Sequence, residues 1–234
     1  MGAIYKREMR AYFTSFIAYC FVAAFFAAEG FLFYVLYSNG STNVFAIPYN
    51  FPLYLTVFLI PVLTMRTMSE DRRQKVDQAL LTAPVSVGGI VLGKFFACLS
   101  VFAISYIPTL IFQVIVSYHQ DNNWMQYFYS LFGTMLLGGI LIAIGIFISS
   151  LTESTTLSAV LSIVVNLLFV FMTQISEVIG AAWLTKATEY IAILDRYTNF
   201  GKSIFSVTDV VYFLTLIAVF LFLTVRSVER RRWA

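Results

Sequence analysis

Apolar runs of about 18 residues or more recur along this chain, each long enough to cross the hydrocarbon core of a bilayer as a helix. No other feature restricts the fold so strongly. The chain is 60% hydrophobic and only 12% charged, whereas a soluble domain is nearer a quarter charged. It therefore reads as an all-α integral membrane protein, one transmembrane domain over residues 1–234 with no room for a separate soluble one. Six spans are predicted, at about 15–37, 51–67, 89–117, 128–149, 155–174 and 207–225. Pro61 falls inside the second span and predicts a kink there, and Pro108 lies near the far end of the third. Gly133, Gly138, Gly139, Ala143 and Gly145 crowd the fourth, a density of small residues that lets helices approach closely.

Two segments outside the spans are amphipathic. In residues 1–14, Ile4, Tyr5, Met9, Tyr12 and Phe13 alternate with Lys6, Arg7 and Arg10, which fits a helix lying in the membrane interface. In residues 177–206, Ile179, Trp183, Tyr190 (or Ile191) and Leu194 recur at helical spacing among Glu177, Lys186, Glu189, Asp195 and Arg196. Short re-entrant helices between spans five and six are expected there, with Trp183 and Tyr190 at headgroup depth. Together with Tyr197 and Phe200 these aromatics make a candidate outer gate.

Cation placement sets the orientation. The N-terminal segment carries three lysines and arginines, the 66–94 loop five and the C-terminal tail four, out of fifteen in the chain. Only Lys186, Arg196 and Lys202 fall on the other side. The positive-inside rule puts both termini and the charged loop in the cytoplasm.

That loop is the one long polar segment between apolar blocks with dense mixed charge. Glu70, Asp71, Arg72, Arg73, Lys75 and Asp77 fall within eight residues. Val76, Leu80 and Ala83 then follow at i, i+4 and i+7, so a short helix here has one apolar stripe against a charged face. Pro84 stops it, and Gly88-Gly89 loosen the chain before the next span. An exposed amphipathic helix between two spans suits docking of a soluble partner. The plainer reading is a solvated linker.

Residues with chemical potential are few. Gly88 to Lys94 nearly spells a phosphate-binding loop, but Phe95 stands where a magnesium-holding Ser or Thr is needed, and a membrane span follows. The expectation is no nucleotide site, with Lys94 snorkelling to the surface. No paired intramembrane aspartates, G-x-S-x-G or H-E-x-x-H motif points to a hydrolase. Cys20 and Cys98 sit in apolar runs without metal-ligand spacing, and His119 is the single histidine. Glu29 is the one acid deep in a span, where a charge costs roughly 3 kcal/mol, so it should face protein or water. It either lines a path for a cationic substrate or fixes helix packing through a proton or hydrogen bond. Asn166 is a second path candidate, although interhelical hydrogen bonding accounts for it and for Gln113.

Loop and tail together resemble the permease subunits of type-2 ABC exporters, in particular the gliding-motility-like branch. The family loop runs E-x-basic-basic-x-G-T-x-E-x-L-L-x-x-P and then G-K; Glu70, Arg72, Arg73, Leu80, Leu81, Pro84, Gly93 and Lys94 match it, while Lys75-Val76 replace Gly-Thr and Gln78 replaces the second Glu. A second match precedes the last span, through Asp195, Tyr197, Phe200, Lys202, Asp209, Tyr212 and Phe213, and the VERRRW tail is similar as well.

The resemblance implies a dimer of permeases, a second copy or a homologue, carrying two cytoplasmic ABC ATPase subunits that bind ATP and magnesium, with no cofactor in this chain. Glu70, Asp71, Arg72, Arg73, Val76, Leu80, Leu81 and Pro84 would form the ATPase-docking coupling helix. It further implies export across the cytoplasmic membrane of a prokaryote, with lipid and no nucleic acid as the other contact. The rival reading is a non-transporting membrane anchor whose loop recruits a soluble protein.

Overall fold

Polar side chains start the helices where the sequence leaves the apolar runs. Ser15, Ser86, Asn123 and Ser154 each accept a hydrogen bond from a first-turn backbone N–H, which satisfies one of the donors a helix start leaves free. The computed structural model describes residues 1–40, 47, 52–75, 85–119, 123–179, 193–202 and 206–232. Among these residues there are ten helices and no strand. In chain order they are α1 (Gly2–Thr14), α2 (Phe16–Ser38), α3 (Pro52–Arg73), α4 (Val87–Ser105), α5 (Ile107–His119), α6 (Trp124–Leu151), α7 (Thr155–Val170), α8 (Met172–Ile179), α9 (Ile193–Gly201) and α10 (Val207–Arg232).

Helix α6 is the hub, and α3, α4, α7, α9 and α10 all pack on it. Its glycines explain how so many neighbours fit. A Cβ at Gly133 would strike the Phe200 ring of α9, one at Gly138 the Phe102 ring of α4, and one at Gly145 the Thr64 side chain of α3. Each glycine thus seats one partner at backbone distance, as the small-residue density of this span leads one to expect.

Among the described residues, four stretches are long and apolar enough to cross a membrane: α2, α4 continued by α5, α6 and α10. Helix α7 is apolar but has 16 residues, and the last two turns of α3 are charged. The stretch expected as one span at 89–117 is broken at Tyr106, two residues before Pro108. Proline has no N–H for the carbonyl of Ile104, so the ladder is interrupted there. The buried Tyr106 N–H turns to the Ala103 and Ile104 carbonyls, and its ring packs on Phe25 and Phe102.

The N-terminal helix is present but does not lie free in the interface. Ile4, Glu8 and Tyr12 form its buried face, and α4 and α2 cover it. At the other end of the bundle, α9 is pinned onto α6 and α10. Phe200 is buried between Phe132 and Phe213, and the Tyr197 hydroxyl bonds the Thr134 hydroxyl at 2.9 Å.

Candidate functional site

The charged residues expected to open a separate loop helix continue α3 instead. The helix runs six residues past Thr67, where the apolar span was expected to end, and turns out of its last turn at Gln74 and Lys75. Four charged positions on two turns then point four ways. Glu70 faces outward, 3.6 Å from Arg66. Arg72 reaches the α6–α7 turn, 2.6 Å from Glu153 and 3.3 Å from the Leu151 carbonyl. Arg73 is exposed. Asp71 turns inward.

Asp71 meets Lys94, whose ammonium is 2.6 Å away and whose side chain is 1% exposed. The same ammonium lies 3.2 Å from Glu8 and donates to the Thr67 carbonyl. Arg7 closes the ring with bonds to Glu8 at 2.5 Å and to Asp71 at 3.1 Å. Burial alone would lower the Arg7 guanidinium, but its two carboxylate partners outweigh that and hold it above its ordinary value. Two cations and two carboxylates from α1, α3 and α4 thus form a neutral cluster. A lysine so placed does not snorkel. It is retained because its partners cancel its charge and its three N–H donors each find an oxygen.

Helix α3 is also gripped just before the cluster. The Ser149 hydroxyl of α6 accepts from the Met68 and Ser69 N–H groups and donates to the Met65 carbonyl. Neighbouring helices therefore bond α3's own backbone at Met65, Thr67, Met68 and Ser69, where the buried span becomes the charged extension. Beside this junction a cleft of about 400 Å³ opens between α1 and α3, lined among others by Arg7, Glu8, Arg66 and Glu70.

The remaining candidates are dispersed. Glu29 on α2 is fully buried, and among the described residues its carboxylate oxygens have no hydrogen-bond partner. Asn166 is equally buried and, among the described residues, also without a side-chain hydrogen-bond partner, but it lies on α7, which packs on α3 and α6. The two proposed path residues lie in different helix interfaces. Tyr197 and Phe200 are core residues of the α9 contact rather than rim residues. Val76, Leu80, Leu81 and Pro84 of the docking stripe, and Trp183 and Tyr190 of the outer gate, lie outside the described residues.

Sequence reasoning missed Glu8 and the inward turn of Asp71. One signal was legible: Glu8 stands between Ile4 and Tyr12 at i, i+4 and i+8, an acid on the apolar stripe of a basic helix.

A family model described as ABC-2 family transporter protein matches residues 13–233 of the chain. A comparison with curated proteins gives no match.

Proposed function

We propose that this chain, which belongs to the ABC-2 family of transporter proteins, is the export permease of its transporter and receives the ATPase stroke at the 66–94 segment. Family membership makes it a multi-pass membrane permease of an ABC transporter and implies ABC ATPase partners. The gliding-motility-like branch, two ATPases that bind ATP and magnesium, a permease dimer, outward direction and the cytoplasmic membrane complete the proposal.

In this reading six spans cross the membrane: α2, α3, α4 with α5, α6, α7 with α8, and α10. The short α7 is extended by α8, and the polar groups near the end of α3 are met by Ser149 of α6, Lys94 of α4 and Arg7 of α1. Both termini and the cluster end face the cytoplasm, following the lysine and arginine distribution. The outer segment 177–206 closes the far end of the path, with α9 as its anchored part.

One observation carries the coupling role. The docking segment emerges from α3 directly beyond Asp71, which is ion-paired to the buried Lys94 of α4 and to Arg7 of α1. A push on the loop therefore acts on three helices at once, because none of the four charges can leave the cluster alone without stranding a partner in the protein. Among the described residues beside the loop, α1 and the outward-facing Glu70, Arg73 and Lys75 remain available to meet the ATPase.

Replacing Leu80 by Asp tests the dock. It should reduce co-purification of the ATPase at least tenfold while the permease still inserts, since an acid cannot enter an apolar pocket. Undiminished co-purification would leave the loop a linker and favour the anchor reading.

A further inference from the structure

The face of α4 and α10 turned away from α1 carries a long apolar groove that the coupling role does not use. Its volume is about 620 Å³, and Val91, Phe95, Leu99, Leu214, Ala218 and Phe222 are among the residues that line it. Gly139 of α6 lies at its floor, where a Cβ would press on the Ile217 side chain. The groove extends from Gly88 to Leu99 along α4, which at 1.5 Å per residue is about 17 Å. That is close to one leaflet of a hydrocarbon core roughly 30 Å thick.

The two ends differ in charge. Towards the outer end the walls stop at Leu99 and Leu214, both apolar. At the cluster end the α10 wall continues without a break into cations. The Arg226 guanidinium lies over the Phe222 ring, 5.1 Å from its centre, and Arg230 follows one turn later, exposed. Glu229 offsets part of this, 3.4 Å from Arg226 across a largely exposed pair. The facing wall from Val85 to Gly93 has no acid, so the seat keeps a net positive charge.

We propose that this groove binds one anionic phospholipid of the leaflet at the cluster end. One acyl chain lies between α4 and α10 over Gly139, and the phosphate sits at Arg226 and Arg230. Length, apolar lining and exposed arginines continuing the α10 wall at the cluster end are what such a molecule requires. A second copy of the chain would need an apolar surface along the whole groove and an acid opposite the arginines. The site rests on the chain being a membrane protein. Only the naming of that leaflet as cytoplasmic rests on the topology proposed above.

The test uses the purified full-length chain in detergent, titrated with dioleoylphosphatidylglycerol and dioleoylphosphatidylcholine and read by native mass spectrometry. The wild type should bind phosphatidylglycerol about five- to tenfold more tightly than phosphatidylcholine, in line with a juxtamembrane arginine favouring anionic lipid roughly fivefold. The double variant Arg226→Gln, Arg230→Gln should lose that preference and still bind both lipids. Ala218→Trp fills the groove from an exposed position and should weaken both lipids alike. Equal affinity for the two lipids in the wild type overturns the proposal, as does a preference that survives in the double variant or undiminished binding in Ala218→Trp. A disulfide between two copies through cysteines at Phe96 and Leu214 in native membranes would also overturn it, by giving the groove to a second chain. Neither ATPase nor transport enters these measurements, so failure here leaves the permease reading standing.

Discussion

The two ends of the bundle both carry ion pairs, and they are built on opposite plans. At the cluster end, Lys94 is joined to Glu8 and Asp71, residues 86 and 23 positions away, on two other helices. At the opposite end, proposed above to be the outer one, Arg196 of α9 bonds Asp209 of α10 at 3.0 Å, only 13 positions on. Asp209 is also held by the Asn199 amide at 3.0 Å, and Arg196 lies 4.3 Å from the centre of the Tyr212 ring. The outer pair closes a short connection and has substitute partners. The inner cluster joins distant segments, and each of its members depends on the others. An element that passes force between helices needs the second plan. A strap that holds one short helix on the core needs only the first.

The most severe test of this contrast is Lys94→Met. It leaves two carboxylates facing one arginine in a largely buried place, and breaking a buried pair in this way costs about 3–5 kcal/mol. Thermal unfolding of the purified permease should fall steeply. Adding Asp71→Asn restores the charge balance and should recover a substantial part of the loss. If Lys94→Met alone unfolds like the wild type, the cluster is ornament and the two ends do not differ.

Arg196→Met should cost less, about 1 kcal/mol. Arg196 is 28% exposed, and the Asp209 carboxylate keeps the Asn199 amide as a hydrogen-bond donor. The same thermal measurement checks it. A loss as large as that of Lys94→Met would erase the distinction and make α9 as structural as the cluster.

How much of this was legible in the sequence follows from what each feature depends on. Apolar run length depends on the local chain alone, so α2, α6 and α10 lie where the runs predict. The glycines of α6 were legible as close-approach sites, though not which side chain each would seat. Lys94 was misread because a snorkelling lysine and a paired one have the same local sequence near a span end. What separates them is an acid 86 residues earlier in the chain. The polarity of the charged residues makes them read as the start of a separate loop helix and hides their continuity with α3, which has neighbours there that accept polar groups, Ser149 among them. Neither effect leaves a mark within one window of sequence.

The smallest effect is expected at the cluster end itself, in the turn that closes α3. Lys75 has φ 57°, and it is the one described non-glycine residue with positive φ. A side chain there places Cβ against its own backbone at a cost of roughly 1–2 kcal/mol. The exporter loops this chain resembles carry glycine at the corresponding position, and the geometry gives a reason: a helix end that turns in the left-handed region favours a residue without Cβ. Lys75→Gly should therefore relieve strain, while the greater freedom of glycine in the unfolded chain offsets roughly half of the gain. A net stabilisation near 0.5 kcal/mol is expected, seen as a rise of a degree or so in thermal unfolding. Lys75 is exposed and takes no part in the cluster, so the Lys94→Met loss should be the same in a Lys75→Gly background as in the wild type. Strong non-additivity between the two would mean that the turn itself positions Asp71. The inner end would then be ordered by its local chain, as the outer end is, and the contrast between the two plans would fail.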